Sequence, residues 1–206
     1  MASTKEHILF TALKLILKKG YGNVTMNELV EASGMSKGAF YHYFKSKDQI
    51  YYETLDKYFF SYMASFDLTY NKALSFRSNL FQVFTMFIEF ASEIESMIGP
   101  ENPMISYYHT LLESAIRSDD IKKKVSNYYE FWLNRITGWV ELAQTNNEID
   151  PGLDPEILSK HISGLMEGLM IIYSFQNKEN NLEKYFNEIF YQFFELIKNK
   201  NLNENS

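Results

Sequence analysis

The sequence predicts an all-α protein, with an N-terminal three-helix helix-turn-helix domain at residues 1–46 and a larger helical domain at 47–206. Three observations carry this. Between residues 25 and 47, three helix starts, a glycine turn and two anchoring aromatics fall in one short register. After that, apolar residues recur at helical spacing in long runs broken by Gly, Pro and Asn, and no segment shows the alternation of a credible strand. Charge divides at the same place. Residues 1–47 hold seven Lys against three Glu, a net +4, and the remainder holds 13 Lys and Arg against 23 Asp and Glu, a net −10. A basic head on an acidic body is the electrostatic pattern of a nucleic-acid-binding module joined to something else.

Residues 4–19 form the first helix, with Ile8, Leu9, Ala12, Leu13, Leu15, Ile16 and Leu17 as a broad apolar face. Lys18 and Lys19 favour its C-terminal dipole and Gly20 ends it. Lys5 is the expected phosphate contact on this helix. Thr25 and Glu28 make a capping box, with Val24 and Leu29 placed for a hydrophobic staple. Gly34 takes the turn, Ser36 caps a second, very short helix, and Ser46 with Gln49 starts the next. Phe40 and Phe44, one turn apart, point inward. Lys37 with Tyr41, and Gly38 with His42, then share the opposite face. A cation, a phenol, an imidazole and bare backbone suit the major groove of DNA.

The helix from Lys47 is expected to run to about Tyr70, with Tyr51, Tyr52, Leu55, Tyr58, Phe59, Tyr62 and Phe66 as an aromatic stripe. Its N-terminus is an anion site to which Lys47 adds charge. Residues 76–98 are apolar nearly all round, the mark of a central helix. Gly99 to Pro103 breaks it. Asn102 caps a helix that opens at Pro103 and runs to about Arg117. Ser118 or Asp119 starts a long helix to about Thr145, followed by a loop to Asp154. Asp154 and Pro155 start a helix to about Phe175 that carries Gly164 and Gly168 one turn apart. After a turn at 177–181, the last helix spans about 182–198 and the tail beyond it is polar.

With 206 residues, 46% hydrophobic and 17% aromatic, the chain can bury a substantial core. No run of eighteen apolar residues occurs, the start MASTKEH lacks the apolar core of a signal peptide, and there is no cysteine. The expectation is a cytoplasmic protein without membrane contact. H-E-x-x-H, paired E-x-x-H, G-x-S-x-G and glycine-rich phosphate loops are all missing, and the four histidines are scattered. No metal, cofactor or catalytic residue is therefore expected. Glu113, Glu141 and Glu167 sit in otherwise apolar helices, where they either line a pocket or face solvent.

The stretch at 25–47, TMNELVEASGMSKGAFYHYFKSK, resembles the DNA-binding domain of TetR-type transcriptional regulators. Thr25, Met26, Leu29, Gly34, Met35, Ser36, Gly38, Phe40, Tyr41, Phe44 and Lys47 stand in the register of that family's pattern. The chain departs from it at Val30, where Ala is usual, at Ser33, and at Tyr43, where His is usual, with His42 one place earlier. The specific motif covers about residues 5–55, and beyond it the likeness rests on length and helix layout. The resemblance implies a ligand-responsive regulator, a repressor in the leading reading, that binds a palindromic operator as a homodimer. Lys37 and His42 would read bases on double-stranded DNA. Thr25, Tyr41, Tyr43 and Lys47 would hold phosphates, with Ser36 and Gly38 at the same interface. A small-molecule effector, apolar or aromatic and neutral or cationic, would sit among Phe84, Phe87, Tyr108, Glu113, Trp132, Trp139, Glu141 and Met166. Gly164, Gly168, Phe186, Phe190 and Phe193 would form the dimer contact, unless they only pack inside one chain. Two other readings stay open: the same fold under a protein partner or no ligand, and an all-α enzyme with an incidental helix-turn-helix.

Overall fold

The computed structural model describes residues 3–61, 64, 69–99, 103–175 and 182–199, apart from the side chains of Pro103 and Leu182. Its helices are α1 (Thr4–Lys19), α2 (Met26–Ser33), α3 (Lys37–Tyr43), α4 (Lys47–Leu55), α5 (Phe76–Ile98), α6 (Pro103–Arg117), α7 (Asp119–Thr145), α8 (Pro155–Phe175) and α9 (Leu182–Ile197). A 3-10 turn, Tyr21–Asn23, joins α1 to α2. Among the described residues, β-type pairing is limited to one isolated antiparallel bridge between Ile149 and Lys198. The all-α architecture expected from the sequence is the one observed. The expected Asn102 cap, Tyr62 and Phe66 of the aromatic stripe, the turn at 177–181 and the tail beyond Asn199 lie outside the described residues.

Helix starts follow local chemistry. The Thr25 side chain accepts from the Glu28 N–H while Glu28 reaches back to the Thr25 N–H, and Ser3 and Glu6 do the same at the head of α1. Ser36, Ser46 and Asp154 each accept a backbone N–H of the first turn they cap. Ser118 accepts from the Ile121 N–H and so caps α7 directly after α6.

The chain packs as two compact units, Met1–Phe66 with Ile94–Lys122, and Asp67–Glu93 with Lys123–Ser206. The first is built on α1, whose Ile8, Leu9, Ala12, Leu13, Ile16 and Leu17 are buried, together with Phe40, Phe44, Ile50 and Tyr51. Here the helix expected from Lys47 to about Tyr70 is interrupted by a π turn, with Ser61 and Ala64 beyond it still helical. A π turn at Asp56–Phe60 follows α4, closed by the Ser61 N–H on the Asp56 carbonyl, and Thr69 and Tyr70 are not helical. The wider turn carries Phe59 inward, where its ring stacks on Tyr107 at 4.9 Å and 8°.

The second unit centres on Phe76, Leu80, Val83 and Phe84 of α5, Trp132, Ile136 and Val140 of α7, Ile162 and Met166 of α8, and Phe186 of α9. Glu148 braces the start of α5, accepting from the Phe76 N–H at 2.7 Å. The buried Ser163 and Ser159 are paired: Trp132 Nε1 donates to Ser163 Oγ at 2.9 Å, and Thr137 donates to Ser159 at 2.9 Å.

Candidate functional site

Two capped helices and one turn set the helix-turn-helix. Gly34 ends α2 at φ +67°, the left-handed conformation that lets α3 leave at a sharp angle. At seven residues α3 is too short to hold itself together, so packing decides its shape. Phe40 and Phe44 are both 0% exposed and anchor it, with ring centroids 6.4 Å apart. On the other side Lys37, Gly38, His42 and Tyr43 are exposed and Tyr41 is half-buried. Nothing stands within 4 Å of the position a Cβ would take on Gly38, so that backbone is open to close approach. Lys45 Nζ donates to the Tyr41 carbonyl at the end of α3.

Three of the expected phosphate groups are already engaged. Thr25 Oγ1 is committed to its cap with Glu28. Lys5 pairs with Glu53 at 2.6 Å. Lys47 Nζ donates to the carbonyls of Tyr21 at 3.0 Å and Val24 at 2.8 Å and lies 4.1 Å from the Tyr21 ring centroid. Lys47 thus ties the start of α4 to the turn before α2.

That tie belongs to a hub that sequence reading missed. The Tyr21 hydroxyl donates to Asp48, and its N–H donates to Glu113 Oε2 of α6 at 3.2 Å. Arg117, paired with Glu113, lays its guanidinium 4.9 Å from the Tyr21 ring. The Tyr51 ring packs on Tyr21 at 4.2 Å, and its hydroxyl is hydrogen-bonded to Ser114. Gly20, at φ +75°, lets α6 sit close: a Cβ there would stand 3.2 Å from His109 Cε1. Burial first, then Asp48, pushes the Tyr21 phenol well above its usual range, and burial lifts Tyr51 to about 12. Both stay protonated donors. The one local hint of this hub is Tyr21 set between Gly20 and Gly22.

Glu28 is held near a pKa of about 2, against an ordinary 4.5, first by Lys19 and then by the Thr25 cap. A lowered folded-state pKa gives stability that is complete above the unfolded value and is lost as the group protonates. The head should therefore lose stability as pH falls from about 4.5 towards about 2, with Glu6, held down first by Lys57, adding to the loss. Thermal melts of wild type and Glu28→Gln across that window should diverge in slope. Identical slopes would remove the capping carboxylate from the acid response.

In the second unit, Phe84, Phe87, Trp132 and Met166 come together as expected of pocket residues, but the space they leave is small. Phe84, Phe87, Met166, Glu167, Met170 and Phe186 enclose about 10 Å³, room for about one water. The Phe87 ring lies 6.1 Å from Trp132, and Glu167 accepts from the Tyr129 hydroxyl at 3.1 Å. Other expected lining residues lie elsewhere. Trp139 packs on Tyr70 at 5.5 Å. Tyr108 and Glu113 belong to the first unit, where Glu113 serves the Tyr21 hub. Glu141 is exposed, because the buried faces of α7 at that height belong to Val140 and Ala143. A roomier space of about 590 Å³ opens between the first half of α5 and α9, lined by Phe81, Phe84, Phe190 and Phe194 among others.

Of the residues expected at a subunit contact, Gly164 is exposed and Gly168, Phe190 and Phe193 are half-buried. Phe186 is inside: at 1% exposed its ring packs on Phe84 at 5.1 Å. The apolar surface on α8 comes instead from Ile157, Ile171, Ile172 and Phe175.

Among the described residues no group of three or more His, Asp or Glu could hold a metal ion, and no helix is long and apolar enough to cross a membrane. Residues 8–54 match the family model for bacterial regulatory proteins of the tetR family, and residues 107–189 match that for the tetracyclin repressor-like C-terminal domain. The chain is 36% identical over 59 residues to the HTH-type transcriptional repressor NemR of Escherichia coli (strain K12), covering 29% of this chain and 30% of NemR. It thus spans under a third of that relative's length. The HTH-type transcriptional repressor DhaR of Mycobacterium sp. (strain GP1) is 19% identical over 90% of each chain. Among solved structures, reduced E. coli NemR superposes with a TM-score of 0.66 at 18% identity, over 91% of this chain and 96% of that one. A putative transcriptional regulator from Saccharomonospora viridis in complex with choline does so with 0.64 at 19%, over 88% and 90%.

Proposed function

Because the chain belongs to the TetR family of helix-turn-helix transcriptional regulators, we propose that it is a repressor that binds a palindromic operator as a homodimer and is released by a small effector. The observation that carries this is α3 itself: two fully buried phenylalanines beneath an exposed Lys37, Gly38 and His42. Residues 1–46 read DNA, with Lys37 and His42 on base edges and Ser36, Gly38, Tyr41 and Tyr43 alongside, the tyrosines reaching phosphates. Thr25 and Lys47 act at the same border, Lys47 chiefly by holding the turn at Tyr21–Val24 in place. Residues 47–206 hold the effector and the dimer contact. The protein would act in the cytoplasm. Two heads about 34 Å apart match successive major grooves.

The effector is apolar or aromatic, neutral or cationic, and enters by opening the space at Phe84, Phe87, Trp132 and Met166. Aromatic and Met side chains re-pack readily around guests, and ring faces attract cations such as the choline seen in the S. viridis neighbour. Release is a population shift between DNA-competent and incompetent states. A tenfold loss of operator affinity needs about 1.4 kcal/mol of preference by the guest. The hub at Tyr21, Glu113 and Arg117 supplies a route, because it fixes α6 to the turn that carries α2. The closed centre favours a second reading, in which a protein partner replaces the guest. A thermal-shift screen coupled to operator release separates the two: compounds that stabilise the protein and free DNA support the first, and stabilisation without release counts against it.

Selection of binding sites tests the DNA reading. Lys37→Ala should change the selected consensus and cost roughly 1–3 kcal/mol on the wild-type site, as loss of a bidentate base contact does. An unchanged consensus would take Lys37 off the bases.

A further inference from the structure

We infer that the groove between α5 and α9 is a binding site for an amphiphilic carboxylate, adjoining the effector space at Met166 across the shared Phe84 ring. At about 590 Å³ it lies within the range of cavities that take drug-sized molecules, roughly 300–1,000 Å³. Its wall is apolar and ring-rich: Leu80, Phe81, Phe190 and Phe194 offer a surface for an acyl or aryl body.

Arg77 and Tyr191 give that wall a polar end. The Arg77 guanidinium lies over the Tyr191 ring, 4.8 Å from its centroid, and both residues line the groove. The Arg77 side chain makes no hydrogen bond among the described residues, so its N–H groups are available to receive a carboxylate through two parallel hydrogen bonds. Arg77 makes no ion pair among the described residues. The acidic groups on the neighbouring turns are engaged: Glu188 lies 3.9 Å from Lys184, Glu195 pairs with Lys198, and Glu148 accepts from the Phe76 N–H and the Tyr70 hydroxyl. Among the residues that line the groove, Arg77 alone carries a charge, and it is positive, on a body whose net charge is negative. A long cation would meet Arg77 with repulsion, and a neutral alcohol would gain the wall alone.

The test uses the full-length protein without DNA, so its outcome is independent of the regulatory reading. Titration calorimetry with dodecanoate, dodecanol and dodecyltrimethylammonium, all below micelle formation, compares three heads on one tail. Wild type should prefer dodecanoate over the cation by at least about tenfold, which is about 1.4 kcal/mol. Arg77→Gln should remove that preference and leave dodecanol unchanged. Gln82→Trp, at an exposed lining position, should weaken all three by filling the groove. Equal affinity for the three heads, a preference that survives Arg77→Gln, or binding undiminished in Gln82→Trp would each overturn the assignment. So would an absence of binding with α9 protected from amide exchange by a second copy, which would make the groove a subunit contact.

Discussion

Phe40→Ala should lower the stability of the head by about 3–5 kcal/mol and abolish operator binding. The ring is fully buried, in edge contact with Tyr41 and 6.4 Å from Phe44. Alanine leaves a cavity beneath a helix of seven residues that has no independent means of staying folded. Whole domains are stable by only about 5–15 kcal/mol, so the loss is a large share of the total. Amide exchange through residues 25–47 should rise, and gel-shift binding should vanish even at temperatures where most helical signal survives. Tyr43→Ala is the matched control. Tyr43 is 36% exposed, so its loss should change stability by no more than about 0.5 kcal/mol while weakening DNA binding. Intact binding by Phe40→Ala would show that α3 is not held by its aromatic anchor.

If the proposed homodimer forms through α8, Ile172→Glu should leave folded monomers and lower operator affinity by about a thousandfold, about 4 kcal/mol. Ile157, Gly164, Gly168, Ile171 and Phe175 recur along one side of α8 at helical spacing, with Ile172 beside them. Ile172 is 49% and Phe175 74% exposed, an apolar strip that the described residues leave uncovered. A carboxylate placed there remains solvated in the monomer but would be buried unpaired at a contact, which is costly. Gly164→Leu should act in the same direction by bulk, since nothing stands within 4 Å of a Cβ at that position. Sedimentation at micromolar concentration decides the matter. A variant that remains a dimer with full operator affinity moves the contact off α8.

What could be read from the sequence was what neighbouring residues settle between themselves. Thr25 with Glu28, Ser36, Ser46 with Gln49, and Asp154 each meet their partners within one turn, so type and spacing suffice. The inward placing of Phe40 and Phe44 follows from helical phase in the same way. The Tyr21 hub was hidden because Glu113 lies 92 residues along the chain and its part in the hub depends on how α6 docks. Lys47 looked like a phosphate contact for the same reason: its two carbonyl acceptors come from the turn before α2. Glu141 and Phe186 went astray through packing, since a helix rich in apolar residues on several sides does not announce which one faces inward. The abundance of Phe and Met gave the side chains of the centre but not its volume, because composition does not reveal how tightly rings interlock.

The placement of Trp132 and Trp139 makes the protein a selective optical instrument. The chain has two tryptophans, and both are buried in the second packing unit, Trp132 hydrogen-bonded to Ser163 and in edge contact with Phe87. Their emission therefore reports on the surroundings of α7 and α8, while the reading head is silent in that channel. A guest that parts Phe87 from Trp132 changes the colour of the protein's own light without any label. Melting of the head alone leaves it unchanged and shows only in circular dichroism. Where the two signals give different midpoints, the gap between them measures how far the halves of this regulator unfold on their own terms.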